Sequence, residues 1–237
     1  MTMRQCIFAI FVVASTLFFK CHAQAPQAAV YNDPSTGITF DTWNVAGSSE
    51  AGGLTFGMAL PSSALKSDAT EFIGYLRCTA TEKTVADGWC GLALGGSMAD
   101  SLLFIAYADG DLVRTSLRFT SQYAMPGVYA GNATVKQIAS TISSTGFSLI
   151  FHCQDCLHWS QNGTSGSAST SSGLLDLGYA QSVNAPSDPS CPAEVKLARH
   201  DIQGTWTAML DEHAVSDAYD KWRAQAKSTV PDQCSGA

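Results

Sequence analysis

The chain has 237 residues, 46% of them hydrophobic and 14% charged, with 13 Lys and Arg against 20 Asp and Glu. A formal charge of −7 carried by so few cations excludes the basic face that grips nucleic acid or an anionic membrane surface. Such a balance suits a soluble protein and leaves the fold open.

The first residues, Met1-Thr-Met-Arg-Gln, lead into an apolar run over 6–19 and then Lys20-Cys-His-Ala23-Gln, the layout of a secretory signal with cleavage expected after Ala23. The run is shorter than the ~20 residues that span a bilayer, so residues 24–237 are expected to be secreted, extracellular and free of membrane. From Tyr31 to Asp176, short runs rich in β-branched and aromatic residues alternate with Gly, Asn, Asp and Ser, the spacing of a β-sandwich. The clearest strands are predicted over 38–45, 54–60, 72–79, 89–94, 102–108 and 112–119. Between the last two, Asp109-Gly110 predicts a tight hairpin, because both residues tolerate positive φ. Strand pattern continues over 128–138 and 147–152. Residues 161–172, rich in Gly, Ser and Thr, are expected to form a surface loop. Asn132-Ala-Thr and Asn162-Gly-Thr are glycosylation sequons. Beyond Pro186, Pro189 and Pro192, the spacing of Val215, Ala218, Tyr219 and Trp222 predicts one C-terminal helix over 212–227. No repeat or linker divides the chain, so a single domain over 24–237 is expected.

Six cysteines remain after the signal: Cys78, Cys90, Cys153, Cys156, Cys191 and Cys234. In a secreted chain these read as disulfides, and of the 15 possible connectivities sequence order favours pairing each with its neighbour. His152-Cys153-Gln-Asp-Cys156-Leu-His158 admits three readings. Covalent haem needs the histidine directly after the second cysteine, and Leu157 intervenes. Zinc held by both cysteines and histidines competes with a tight disulfide, which an oxidising compartment favours. No G-x-S-x-G elbow, H-E-x-x-H pair, P-loop or dinucleotide fingerprint is present, so hydrolase chemistry is not indicated. Gly91-Leu-Ala-Leu-Gly95-Gly96-Ser97-Met98 runs a strand into two glycines that allow close approach of a flat group, with a thioether beyond. Taken alone, Met98 is more often a core residue. His200 lies in a loop after the prolines, where function tends to concentrate.

Taken in order, Thr70-Glu-Phe-Ile-Gly74, the 91–98 segment, Ser101-Leu-Leu-Phe-Ile-Ala-Tyr107, Cys153-Gln-Asp-Cys156, Asp188-Pro189 and His200-Asp201 resemble the cytochrome domain of fungal cellobiose dehydrogenase. That family belongs with haem b and iron-reductase domains on a DOMON-like fold. The resemblance implies an all-β, immunoglobulin-like antiparallel sandwich with a short C-terminal helix. It also implies a non-covalent haem b with Met98 and His200 as axial ligands, a disulfide between Cys153 and Cys156, and Tyr123 near a haem propionate. Tyr107 stands at the propionate edge where close relatives carry tryptophan, and Cys78, Cys90, Cys191 and Cys234 lie outside the family pattern.

Met/His ligation leaves iron six-coordinate, which is electron-transfer chemistry. The expected function is therefore a secreted, monomeric redox carrier. A flavin-dependent dehydrogenase or small reductant would be its donor, and a lytic polysaccharide monooxygenase or ferric iron its acceptor. No dehydrogenase sequence follows Ala237, so cellobiose oxidation is not expected of the chain itself, and a ferric reductase is a variant of the same reading. The competing expectation is a non-haem sandwich that binds carbohydrate or protein, with Trp43, Trp159 or Trp206 as exposed stacking platforms.

Overall fold

The computed structural model describes residues 28–48, 51–80, 88–227, 230 and 234. The expected signal segment lies outside the described residues. Fifteen strands carry the fold: β1 (Ala29–Asn32), β2 (Thr39–Val45), β3 (Ala51–Pro61), β4 (Phe72–Ala80), β5 (Trp89–Ala93), β6 (Leu103–Asp109), β7 (Leu112–Phe119), β8 (Gly127–Val128), β9 (Thr134–Ser143), β10 (Gly146–Gln154), β11 (His158–Gln161), β12 (Thr164–Ser167), β13 (Leu174–Ser182), β14 (Ile202–Met209) and β15 (Val215–Ser216). The helix α1 (Tyr219–Arg223) follows. One sheet runs β1-β2-β3-β4-β10-β9, with β15 added in parallel to β3, and the other runs β14-β13-β5-β6-β7-β8. This is the antiparallel sandwich that the alternation predicts.

Alternate side chains of each strand point into the space between the two sheets, and their burial there stacks the sheets. Phe56, Phe72 and Phe151 from the first sheet meet Leu92, Phe104, Leu177 and Trp206 from the second in one core. Phe104 and Phe151 stack across the interface, their ring centroids 4.2 Å apart. Trp43, Trp159 and Trp206 are all buried, which removes the exposed platforms that a carbohydrate-binding surface would need. All three cysteine pairs are disulfides: Cys78–Cys90, Cys153–Cys156 and Cys191–Cys234.

The Asp109-Gly110 hairpin forms with its turn one residue later than the sequence suggests. Asp109 pairs with Leu112, and Gly110 takes the first central position at φ +59°. Three expectations need correction. The run 128–138 is two separate strands, β8 and β9, and 161–172 is not simply a loop. Asn162 and Gly163, at φ +54° and +81°, form the two-residue turn between β11 and β12, the positive-φ pair that matches strand twist. The third correction is the helix, which spans Tyr219–Arg223 rather than 212–227. Val215 and Ser216 are drawn into pairing with Leu60 and Pro61 at the end of β3, and a segment committed to a ladder cannot also form a helical turn. Among the described residues no helix is long and apolar enough to cross a membrane.

Candidate functional site

On the second sheet, the face turned away from the core is built from small residues at its centre. Gly178 pairs with Ala93 and Ala180 with Gly91, so these four share one face by the two-residue period. Leu103 and Ile105 on β6 pair with Ala93 and Gly91 and form one wall, while Gln203 and Thr205 on β14 form the other. The result is a cavity of about 990 Å³. Its floor is close-fitted: a Cβ added at Gly91 would lie 2.8 Å from Ile105 Cδ1, and one at Gly178 would lie 2.6 Å from the Gly96 carbonyl oxygen.

Met98 reaches this cavity from the β5–β6 connection. Gly96 turns the chain at φ +80° with its N–H donating to the Ala93 carbonyl at 3.3 Å, a conformation that a Cβ would strain. Asp100 closes the connection: its N–H donates to the Thr120 carbonyl at 2.8 Å, and its own carbonyl accepts from the Trp159 indole at 2.9 Å.

His200 arrives from the opposite direction in the chain, at the end of the strap 183–201 that links β13 to β14. The strap is anchored by Cys191–Cys234 and by a two-way bridge between Ser187 and Lys196. From the sheet beneath, the buried Arg118 guanidinium donates to the carbonyls of Pro126, Pro192 and Val195, and Ser116 Oγ donates to Pro192 at 2.9 Å. Nearer the cavity, Trp89 Nε1 donates to the Ala198 carbonyl at 3.2 Å, and the Trp89 ring stands edge-on to the His200 imidazole at 6.5 Å. The Asp201 carboxylate accepts from Ser182 Oγ at 3.0 Å and the Val183 N–H at 2.8 Å, fixing the residue after the histidine. Burial, helped by the neighbouring Arg199 cation, holds the His200 imidazole below its ordinary pKa. It is therefore neutral near pH 7, the form with a free ring lone pair.

Met98 and His200 thus line one cavity floored by glycines and alanines, in a chain that matches a known family. The model for the cytochrome domain of cellobiose dehydrogenase matches residues 31–221. The chain belongs to this family. The solved cytochrome domain of Myriococcum thermophilum cellobiose dehydrogenase is 49% identical, with a TM-score of 0.82 over 86% of this chain and 98% of that one. The cytochrome b domain of pyranose dehydrogenase from Coprinopsis cinerea is 25% identical, with a TM-score of 0.66 over 84% and 96%. In sequence, the pyrroloquinoline quinone-dependent pyranose dehydrogenase of Coprinopsis cinerea is 29% identical over 160 residues, 67% of this chain and 21% of that protein. The chain thus spans about a fifth of the length of that relative.

As a cytochrome domain the chain is a haem-binding, electron-transferring module, and its cavity fits such a group. The volume lies at the top of the ~300–1,000 Å³ range of cofactor pockets, and the soft-plus-imidazole donor pair suits haem iron. Tyr123 also lines the cavity, from the β7–β8 connection, and is 84% exposed at its mouth beside Met125. Tyr107 lies elsewhere: it is fully buried under the strap, its hydroxyl donating to the Pro189 carbonyl at 3.0 Å, and it forms no part of the cavity wall. The Cys153–Cys156 disulfide leaves no thiolate for the competing zinc reading. His152 is instead buried 3.0 Å from Glu71 Oε2, and His158 is exposed on β11. His213 is an exposed residue outside the cavity.

Arg118, Ser116 and Trp89 organise the strap, and sequence reasoning did not single them out. Arg114, Ser116 and Arg118 alternate along β7 as a solvent-facing polar row would. Their burial follows from the strap lying over them, which no local pattern encodes.

Proposed function

We propose that this domain is a secreted one-electron carrier that binds non-covalent haem b, with Met98 and His200 as the residues that would hold its iron. The observation that carries the reading is that these two side chains, from unrelated connections, line one cavity whose floor is Gly91, Ala93, Gly178 and Ala180. Haem b held by this pair would supply a one-electron couple of raised potential. The chain's own residues do the rest. His200 presents a neutral imidazole because burial and Arg199 disfavour its protonation. Trp89 and Asp201 hold that ring's backbone in place, and Gly96 sets the turn that delivers Met98. Leu103 and Ile105 keep one wall of the slot apolar. With the family cysteines oxidised to Cys153–Cys156, no thioether attachment is available, which supports a non-covalent cofactor.

The signal-like amino terminus and three disulfides support secretion into an oxidising compartment. Asn132 and Asn162 are both exposed, which suits glycan attachment there. Tyr123 and Met125, exposed at the cavity mouth, are where electrons would enter and leave. The donor in this proposal is a secreted flavin-dependent dehydrogenase, and the acceptor a lytic polysaccharide monooxygenase or ferric iron. Purified protein supplemented with haem is expected to show a Soret band and low-spin visible bands, with rapid re-oxidation by one of the two acceptors. Absence of a Soret band after supplementation would overturn the reading.

A further inference from the structure

Away from the cavity, the connection between β14 and β15 crosses the end of the first sheet. It is pinned at both ends, by the Leu210 N–H to the Gly173 carbonyl at 2.9 Å and the Leu60 N–H to the Ala214 carbonyl at 2.7 Å. This brings Asp211 and His213 against Asp41 of β2, and one donor atom from each of the three lies within 4.8 Å of the others. Asp41 is 1% exposed, and its Oδ1 has no hydrogen-bond partner. Its Oδ2 accepts a long 3.5 Å contact from the Asp211 N–H. An ionised carboxylate held this way is costly unless an opposite charge meets it. Burial, with the Asp211 carboxylate beside it, pushes Asp41 up to about 6.

We propose that Asp41, Asp211 and His213 form a binding site for a divalent first-row cation of the zinc class. Two carboxylate oxygens and one imidazole nitrogen are a three-ligand set that leaves a fourth position for water. The imidazole selects zinc-class ions over calcium, which takes six or more oxygens. Around a tetrahedral ion, ligands at about 2.0–2.2 Å lie roughly 3.4 Å apart, so the three donor atoms, now within 4.8 Å of one another, close by up to roughly an ångström while the 2.8 Å hydrogen bond between His213 Nδ1 and Asp211 Oδ1 opens. Asp211 and His213 can supply that movement, since their side chains are 54% and 50% exposed on a turn. The bound ion would clamp β2 of one sheet to the connection leaving β14 of the other. The site shares no residue with the cavity, so it stands independently of the haem reading.

Calorimetric titration of untagged, haem-loaded protein with zinc chloride tests this directly, with calcium and manganese as comparators. One zinc per chain is expected, with calcium in tenfold excess failing to displace it. Zinc at 100 times its Kd is expected to raise the melting temperature by ~5–10 °C. His213→Ala, at an exposed position, is expected to fold normally, keep its haem spectrum and lose at least the ~10-fold in zinc affinity that even a supporting group contributes. Asp41→Asn is expected to lose affinity likewise. No saturable zinc binding to the unmodified protein would overturn the proposal, as would zinc affinity unchanged in His213→Ala.

Discussion

Gly178→Ala probes the contact between the cavity floor and the turn that carries Met98. The added Cβ would sit 2.6 Å from the Gly96 carbonyl oxygen and 3.1 Å from Ala93 Cβ, well inside van der Waals contact. Its closest neighbour is backbone, so relief requires moving Gly96, which is itself tied to Ala93 through its N–H. The turn must therefore shift as a unit, two residues before Met98. Overpacking of this kind costs about 1–3 kcal/mol, while replacing glycine by alanine restricts the unfolded chain and returns about 0.4–1 kcal/mol. Overpacking wins, leaving a net loss of about 1–2 kcal/mol, or ~2–8 °C in melting temperature for a domain of this size. The accompanying displacement of Met98 is expected to weaken the thioether bond and add a high-spin component to the absorption spectrum of the haem-loaded protein. Gly127→Ala is the control, because a Cβ there meets nothing nearer than the Phe119 carbonyl oxygen at 3.9 Å. Calorimetry and absorption of both variants decide the matter. A Gly178→Ala protein that melts and absorbs like the parent would show that the turn is not held against the floor.

His200→Ala is expected to convert the absorption spectrum toward high spin, whereas His213→Ala leaves it unchanged; the reverse result would relocate the ligand. Met98→His is expected to retain haem but lower the potential on the order of 100 mV in a redox titration, because a harder nitrogen donor favours ferric iron. A potential equal to that of the parent would mark Met98 as a packing residue. Replacing Cys191 and Cys234 together by serine releases a cross-link with a sequence separation of 43 residues. Loop-closure entropy puts the loss near ~4 kcal/mol by denaturant unfolding, and haem affinity is expected to fall with it as the strap bearing His200 loosens. Burial holds His152 below the ordinary imidazole pKa, although Glu71 beside it pulls the other way. The unfolded chain then binds the proton more readily, so this contribution is complete above the unfolded value of ~6.5 and is lost as pH falls from there toward the folded value. His152→Gln is expected to flatten that acid limb of the stability curve, and an unaltered limb would refute the assignment.

How far the sequence reaches differs from element to element. The strands over 38–45, 54–60, 72–79 and 112–119 follow from short runs rich in β-branched and aromatic residues bounded by Gly, Asn, Asp and Ser, a signal carried by near neighbours. The Cys-x-x-Cys disulfide is similarly local. The helix expected over 212–227 forms only over Tyr219–Arg223, because its first turn is committed elsewhere. Tyr219 is buried in the small cluster outside the main core and Trp222 packs against it, while Val215 belongs to a ladder with β3. Asn162-Gly163 carried a legible hairpin signal that the surrounding serines and threonines obscured.

The amino-acid sequence by itself determined the sandwich, the neighbouring cysteine pairs and the candidate residues Met98 and His200. Only the tertiary structure decided that Met98 and His200 line one cavity. Pairing of β5 with β13 brings Gly91 opposite Ala180, and the buried Arg118 and Ser116 hold down the strap that delivers His200. The same assembly draws Tyr107 under that strap, away from the cavity, and sets Asp41 against Asp211 and His213. Each of these contacts joins residues far apart in the chain, so their energies are set by how the two sheets and their connections pack. Residue periodicity reports only on near neighbours, and it cannot carry that information.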